Sequence, residues 1–187
     1  MTDELAVLLR PATAYPRLAK LDGGSVWKRP LFFAFLVGCA VSLAVADRPT
    51  LRLVGPATVY ALLIPLAEIA VLRGLLRANP AVSLGRAVDL FFMGHAVWCL
   101  WLVMLGGLFA CADLPAAFAW TISGKGWIAV IFAAAWSGYT DFCFFRAVTP
   151  GQAGRNLLVE RVICWSIGVA IFGGGSFWPG LLGVLGK

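Results

Sequence analysis

Three ionisable side chains, Glu68, His95 and Asp141, stand inside stretches that are otherwise apolar. One imidazole and two carboxylates have three uses. The commonest is a structural polar network, satisfied by arginine, Tyr139 and Ser137, that sets helix register. The second is proton or solute coupling, because ionisable groups inside a membrane mark pathways. The third is a cation or metal site, since these groups form a possible ligand set. Arg73 and Arg146 each follow one of the carboxylates by five residues and are the candidate charge partners.

Other chemistries find no support. A single histidine cannot build a multi-histidine iron site or supply both axial ligands of a haem. Gly124-Lys125-Gly126 lacks the spacing of a phosphate loop. Gly151-Gln152-Ala153-Gly154, after Pro150, is a turn. No nucleophile elbow is present. The chain is therefore read as non-enzymatic, with no catalytic residue, and with metal and cofactor unassigned. The five cysteines (Cys39, Cys99, Cys111, Cys143 and Cys164) form no CxxC pair and read as small buried hydrophobes.

The elements that must position these groups follow from composition. Of 187 residues, 61% are apolar and 13% charged. A soluble interior of this size cannot hide that much apolar surface. Five segments are long and apolar enough to span a bilayer, or nearly so. They are Leu31–Ala46, Leu53–Leu72, Leu90–Ala110, Trp127–Phe145 and a run from Val162 to about Trp178. The first is short, so part of the Trp27–Pro30 turn must extend it. Gly173, Gly174 and Gly175 should loosen the last. None of the runs alternates as a barrel strand must. The expected fold is an all-α transmembrane bundle of five spans.

The net charge of +6 would suggest nucleic acid in a soluble protein. Here the basic residues lie between apolar runs, so they read as topology signals and no nucleic-acid partner is expected. Eleven of the 15 Lys and Arg residues fall on one side: Arg10, Arg17, Lys20, Lys28, Arg29, Arg73, Arg77, Arg86, Arg146, Arg155 and Arg161. Arg48, Arg52, Lys125 and Lys187 fall on the other. The positive-inside rule places the N-terminus in the cytoplasm and the C-terminus outside, in the cytoplasmic membrane. Counted along their helices, Glu68, His95 and Asp141 then share one layer about 6–8 Å below the cytoplasmic boundary.

Residues 1–30 read as an interfacial amphipathic segment beside a transmembrane domain over 31–187. Leu5, Leu8 and Leu9 form its apolar stripe, interrupted by Pro11 and Pro16. Its mixed charges do not read as a secretory signal. A second interfacial helix is expected over Pro115–Ile122. On the fourth span, Ala129, Ala133, Ser137 and Asp141 repeat every four residues. Such a small-residue stripe lets backbones approach closely. It points to packing against other membrane subunits or a second copy, with lipid as the remaining partner.

The proline-punctuated entry reads Leu9-Arg10-Pro11, then Tyr15-Pro16-Arg17-Leu18, then Trp27-Lys28-Arg29-Pro30-Leu31. With five spans, an internal N-terminus and an external C-terminus, this resembles the bacterial branch of the Yip1 family. The resemblance covers the whole chain as topology and the entry as sequence. It implies a non-enzymatic multipass protein of membrane organisation or trafficking, with no catalytic residue to carry over.

Overall fold

The structure, a computed structural model, describes residues 2–21, 23–46, 48–77, 82–111, 120 and 123–173. Among these residues every regular element is helical. α1 (Asp3–Leu9) is capped by Thr2, whose side chain accepts from the Leu5 N–H, and carries Asp3 and Glu4 in its first turn. α2 (Pro11–Leu18) has Pro11 at its first position, where the missing N–H costs nothing. The two helices fold back on each other, and Arg17 reaches Asp3 at 3.2 Å.

α3 (Lys28–Ala46) takes in the Lys28–Pro30 turn, as a short first span requires. It packs on α4 (Leu51–Ala61), and the buried Ser42 hydroxyl closes the turn between them. That hydroxyl donates to the Arg48 carbonyl and accepts from the Thr50 N–H, both at 2.9 Å. Gly38 lets the two backbones meet: a Cβ there would lie 2.8 Å from the Val54 carbonyl oxygen. α5 (Leu63–Leu76) continues α4 after a break at Leu62. Pro65 explains the break, since it has no N–H to offer the Ala61 carbonyl four residues back.

α6 (Leu84–Gly94), capped by Ser83, and α7 (Ala96–Cys111) replace the single span expected over Leu90–Ala110. His95 is the junction, and the axes bend by 42° there. α8 (Gly124–Val148), capped by Ser123, and α9 (Ala153–Gly173) complete the described elements. The expectations for Gly173–Gly175 and for Pro115–Ile122 fall almost wholly outside the described residues.

Among the described residues, two stretches are long and apolar enough to cross a membrane, Leu51–Leu76 and Gly124–Val148, of 26 and 25 residues. The bent α6–α7 pair makes a third if counted as one span. Neighbouring helices run α3, α7, α8, α9 and α5, with α4 returning to α3, so they close a ring.

The fully buried core lies at one end of that ring. Val7, Tyr15, Leu18, Leu72, Phe91, Phe144 and Phe145 meet there. Residues 3–18 thus contribute side chains to this core. The stripe read from the sequence is the face turned out: Leu5 and Leu9 are exposed, whereas Ala6 and Val7 are buried. Charge locks this end. Arg29 bonds Glu4 and Asp89 at 2.8 and 2.9 Å, and Arg86 bonds Asp89 at 3.3 Å and the Leu18 carbonyl at 2.7 Å.

Candidate functional site

The α6–α7 bend delivers His95 into the ring. Its Nδ1 lies 3.3 Å from the Phe91 carbonyl and its Nε2 lies 3.2 Å from Glu68 Oε1 on α5. The carbonyl can only accept, so Nδ1 carries a hydrogen. The contact between Nε2 and Oε1 then holds one further proton. The pair is either imidazolium with carboxylate or neutral imidazole with carboxylic acid. Phe92 stacks on the imidazole at 4.8 Å and the Phe33 ring meets it edge-on at 5.3 Å. These rings hold the orientation of the pair.

Asp141, fully buried on α8, is bound by the Arg161 guanidinium from α9. Arg161 also donates to the Ser137 hydroxyl at 2.7 Å, which takes a second hydrogen bond from the Trp98 indole at 3.0 Å. The other Asp141 oxygen faces the bend. A Cβ at Gly94 would lie 3.3 Å from it and 2.6 Å from the Tyr15 hydroxyl. Only glycine lets α2 and α8 approach the α6–α7 junction this closely. The structure thus places Glu68 and His95 in direct contact, with Asp141 beside the residue that precedes His95.

The charge partner differs from the expectation. Arg73 and Arg146 are exposed, and among the described residues neither pairs with Glu68, His95 or Asp141. Five residues along an α-helix turn a side chain by about 140°, away from the face that the carboxylate occupies. A neighbouring helix supplies the cation instead. Arg161 is the residue the sequence reading missed, together with Glu160 and Cys164. Glu160 and Arg161 lie just before the start assigned to the fifth span, and Cys164 lies two residues inside it. Their i, i+4 spacing was the available signal, since it sets Glu160 and Cys164 on one helical face.

A cavity of about 540 Å³ opens between α3, α5, α7 and α9. Glu68, His95, Glu160, Arg161 and Cys164 line its polar part, and Trp98 and Trp165 line its apolar part. Ligand atoms of Glu68, Glu160 and Cys164 lie within 4.8 Å of one another, so these are the residues able to hold a cation. Chemically the site offers a proton-sharing Glu–His pair, a carboxylate–guanidinium pair and a thiol around one accessible space. Comparison with family models, curated proteins and solved structures gives no match for this chain.

Proposed function

We propose that this is a multipass protein of the cytoplasmic membrane that handles protons, alone or coupled to a small solute, through the Glu68–His95 pair. The observation that carries the reading is the cavity that reaches this pair. A purely structural network has no need of accessible space beside it, whereas a relay does. The direct contact of Nε2 with Oε1, two groups that can each carry a proton, is the chemical capacity that such a role requires. The rival reading, an accessory subunit that packs on partners, drew on the small-residue stripe of α8. Ala133, Ser137 and Asp141 of that stripe are buried within this chain, which leaves the stripe little surface for a partner.

In this reading there are five spans: α3, α4–α5, α6–α7, α8 and α9. The N-terminus is cytoplasmic and the C-terminus external, on the Lys/Arg asymmetry. The polar cluster then sits near the cytoplasmic boundary. Vesicles holding the purified protein and a pH-sensitive dye test the function. Under an imposed potential, wild-type protein should move protons faster than empty vesicles. Glu68→Gln and His95→Asn should return the rate to that of empty vesicles. Wild-type flux no faster than the empty control, or variants as fast as wild type, would refute the reading.

A further inference from the structure

The described carboxylates of this cluster outnumber its permanent cations. Asp141 is matched by Arg161, whose Nε lies 3.6 Å from Glu160. Glu68 and Glu160 have no further arginine or lysine partner, and both are inside the fold, at 6% and 1% exposure. Glu68 Oε1 is used by His95, but Oε2 has no hydrogen-bond partner. Glu160 Oε2 has none either, beyond its ion pair with Arg161. Buried carboxylate oxygens left in this state are costly unless a cation or a proton meets them. Cys164, one helical turn beyond Glu160, brings a thiol to the same point.

We propose that Glu68 Oε2, the Glu160 carboxylate and Cys164 Sγ bind one divalent transition ion of the zinc type. A tetrahedral zinc ion holds its ligand atoms about 3.5 Å apart. The three atoms already lie within 4.8 Å of one another, so closure needs side-chain movements of about an ångström. A thiolate ligand selects such an ion over magnesium or calcium, which take oxygen shells. Three protein ligands leave a fourth position, and it faces the cavity. His95 then orients the ligating Glu68 through its other oxygen, as outer-shell partners of metal ligands do. On binding, Cys164 gives up its thiol proton to solvent and the ion takes the sulfur electron pair. The site shares Glu68 with the pair assigned to proton handling, but Glu160 and Cys164 take no part in that pair, so their variants separate the two readings.

Untagged protein purified in detergent, stripped with chelator and titrated with Zn²⁺ and then Co²⁺, tests this directly. The wild type should take up one Zn²⁺ per chain. With Co²⁺ it should show the near-ultraviolet charge-transfer band of a cobalt–thiolate bond. Cys164→Ser should abolish the band, and Glu160→Gln should keep the thiol but weaken Zn²⁺ binding about 10-fold or more. Cys143→Ser, which removes a buried thiol from the distant core, should change neither. Lack of saturable Zn²⁺ uptake by the wild type, cobalt bound without the thiolate band, or undiminished affinity in Glu160→Gln would overturn the proposal. Glu160→Gln, which keeps all five thiols, decides if Cys164→Ser fails to fold.

Discussion

The two ends of α8 obey opposite rules. Around Cys143, Phe144 and Phe145 the helix is enclosed by α2 and α6. Around Trp127, Ile128, Ile131 and Phe132 it turns large apolar side chains outward, Ile128 by 68% and Phe132 by 66%. The same division runs through the molecule: Phe32, Phe35, Val103 and Val169 are exposed, whereas Val7, Tyr15, Phe91 and Leu72 are not. One end is built like a soluble core, where burial from water supplies the stability. The other presents a surface suited to hydrocarbon, where packing rather than burial must hold helices together. Glu68, His95, Asp141 and Arg161 lie where the two regimes meet. There the partly exposed Arg161 reaches the fully buried Asp141.

The largest effect should come from that junction. Arg161→Met strands the Asp141 carboxylate without its cation and should cost about 3–5 kcal/mol in unfolding free energy. Pairing it with Asp141→Leu should restore most of the loss. Denaturation of the purified protein in detergent reads both. A single-variant cost under about 1 kcal/mol would show that the junction is not electrostatically coupled. Next comes a matched pair of ring deletions. Phe91→Ala, in the enclosed end, should cost about 3 kcal/mol, and Phe132→Ala, on the outward face, under about 1 kcal/mol. Equal costs would erase the distinction between the two ends.

The smallest effect sharpens the water-facing side. The Arg29 guanidinium beside Glu4 holds its carboxyl below the usual carboxylate range. A depressed folded-state value contributes stability above the unfolded pKa, and that stability is lost as pH falls through the folded value. Glu4 is half-exposed, so the pair is worth under about 1 kcal/mol. Glu4→Gln should therefore unfold slightly earlier than wild type at neutral pH, and the gap should close in acid. A gap that persists below the carboxylate range would mean that Glu4 acts through packing rather than charge.

Hydropathy runs along one dimension, and whatever depends on it was legible. The helical class, the extension of the first helix to Lys28 and the apolar stretches around Pro56, Pro65 and Ser137 all follow from residue order. The common height expected for Glu68, His95 and Asp141 was counted from assumed helix ends, and the contact of Glu68 with His95 agrees with it for that pair. Breaks were less visible. Gly94-His95 is no strong helix stop, and the bend appears only once the His95 ring is engaged by Phe91 and Glu68. Partners between helices were not legible at all. Arg161 looked like a loop charge because the apolar run begins at Val162. Val7 and Tyr15 looked like tail residues because nothing local announces the core that both join or the Phe144 ring that meets Tyr15.

The indole of Trp136 donates to the Leu8 carbonyl at 3.0 Å, across 128 residues of chain. α1 thus completes its seat only once α8 is made, although α6, made earlier, already offers it a face. Until then Tyr15 lacks the Phe144 ring that it meets edge-on. Residues 3–18 should therefore reach their full resistance to proteases only when α8 is in place. Maturation of the bundle can be timed by that gain.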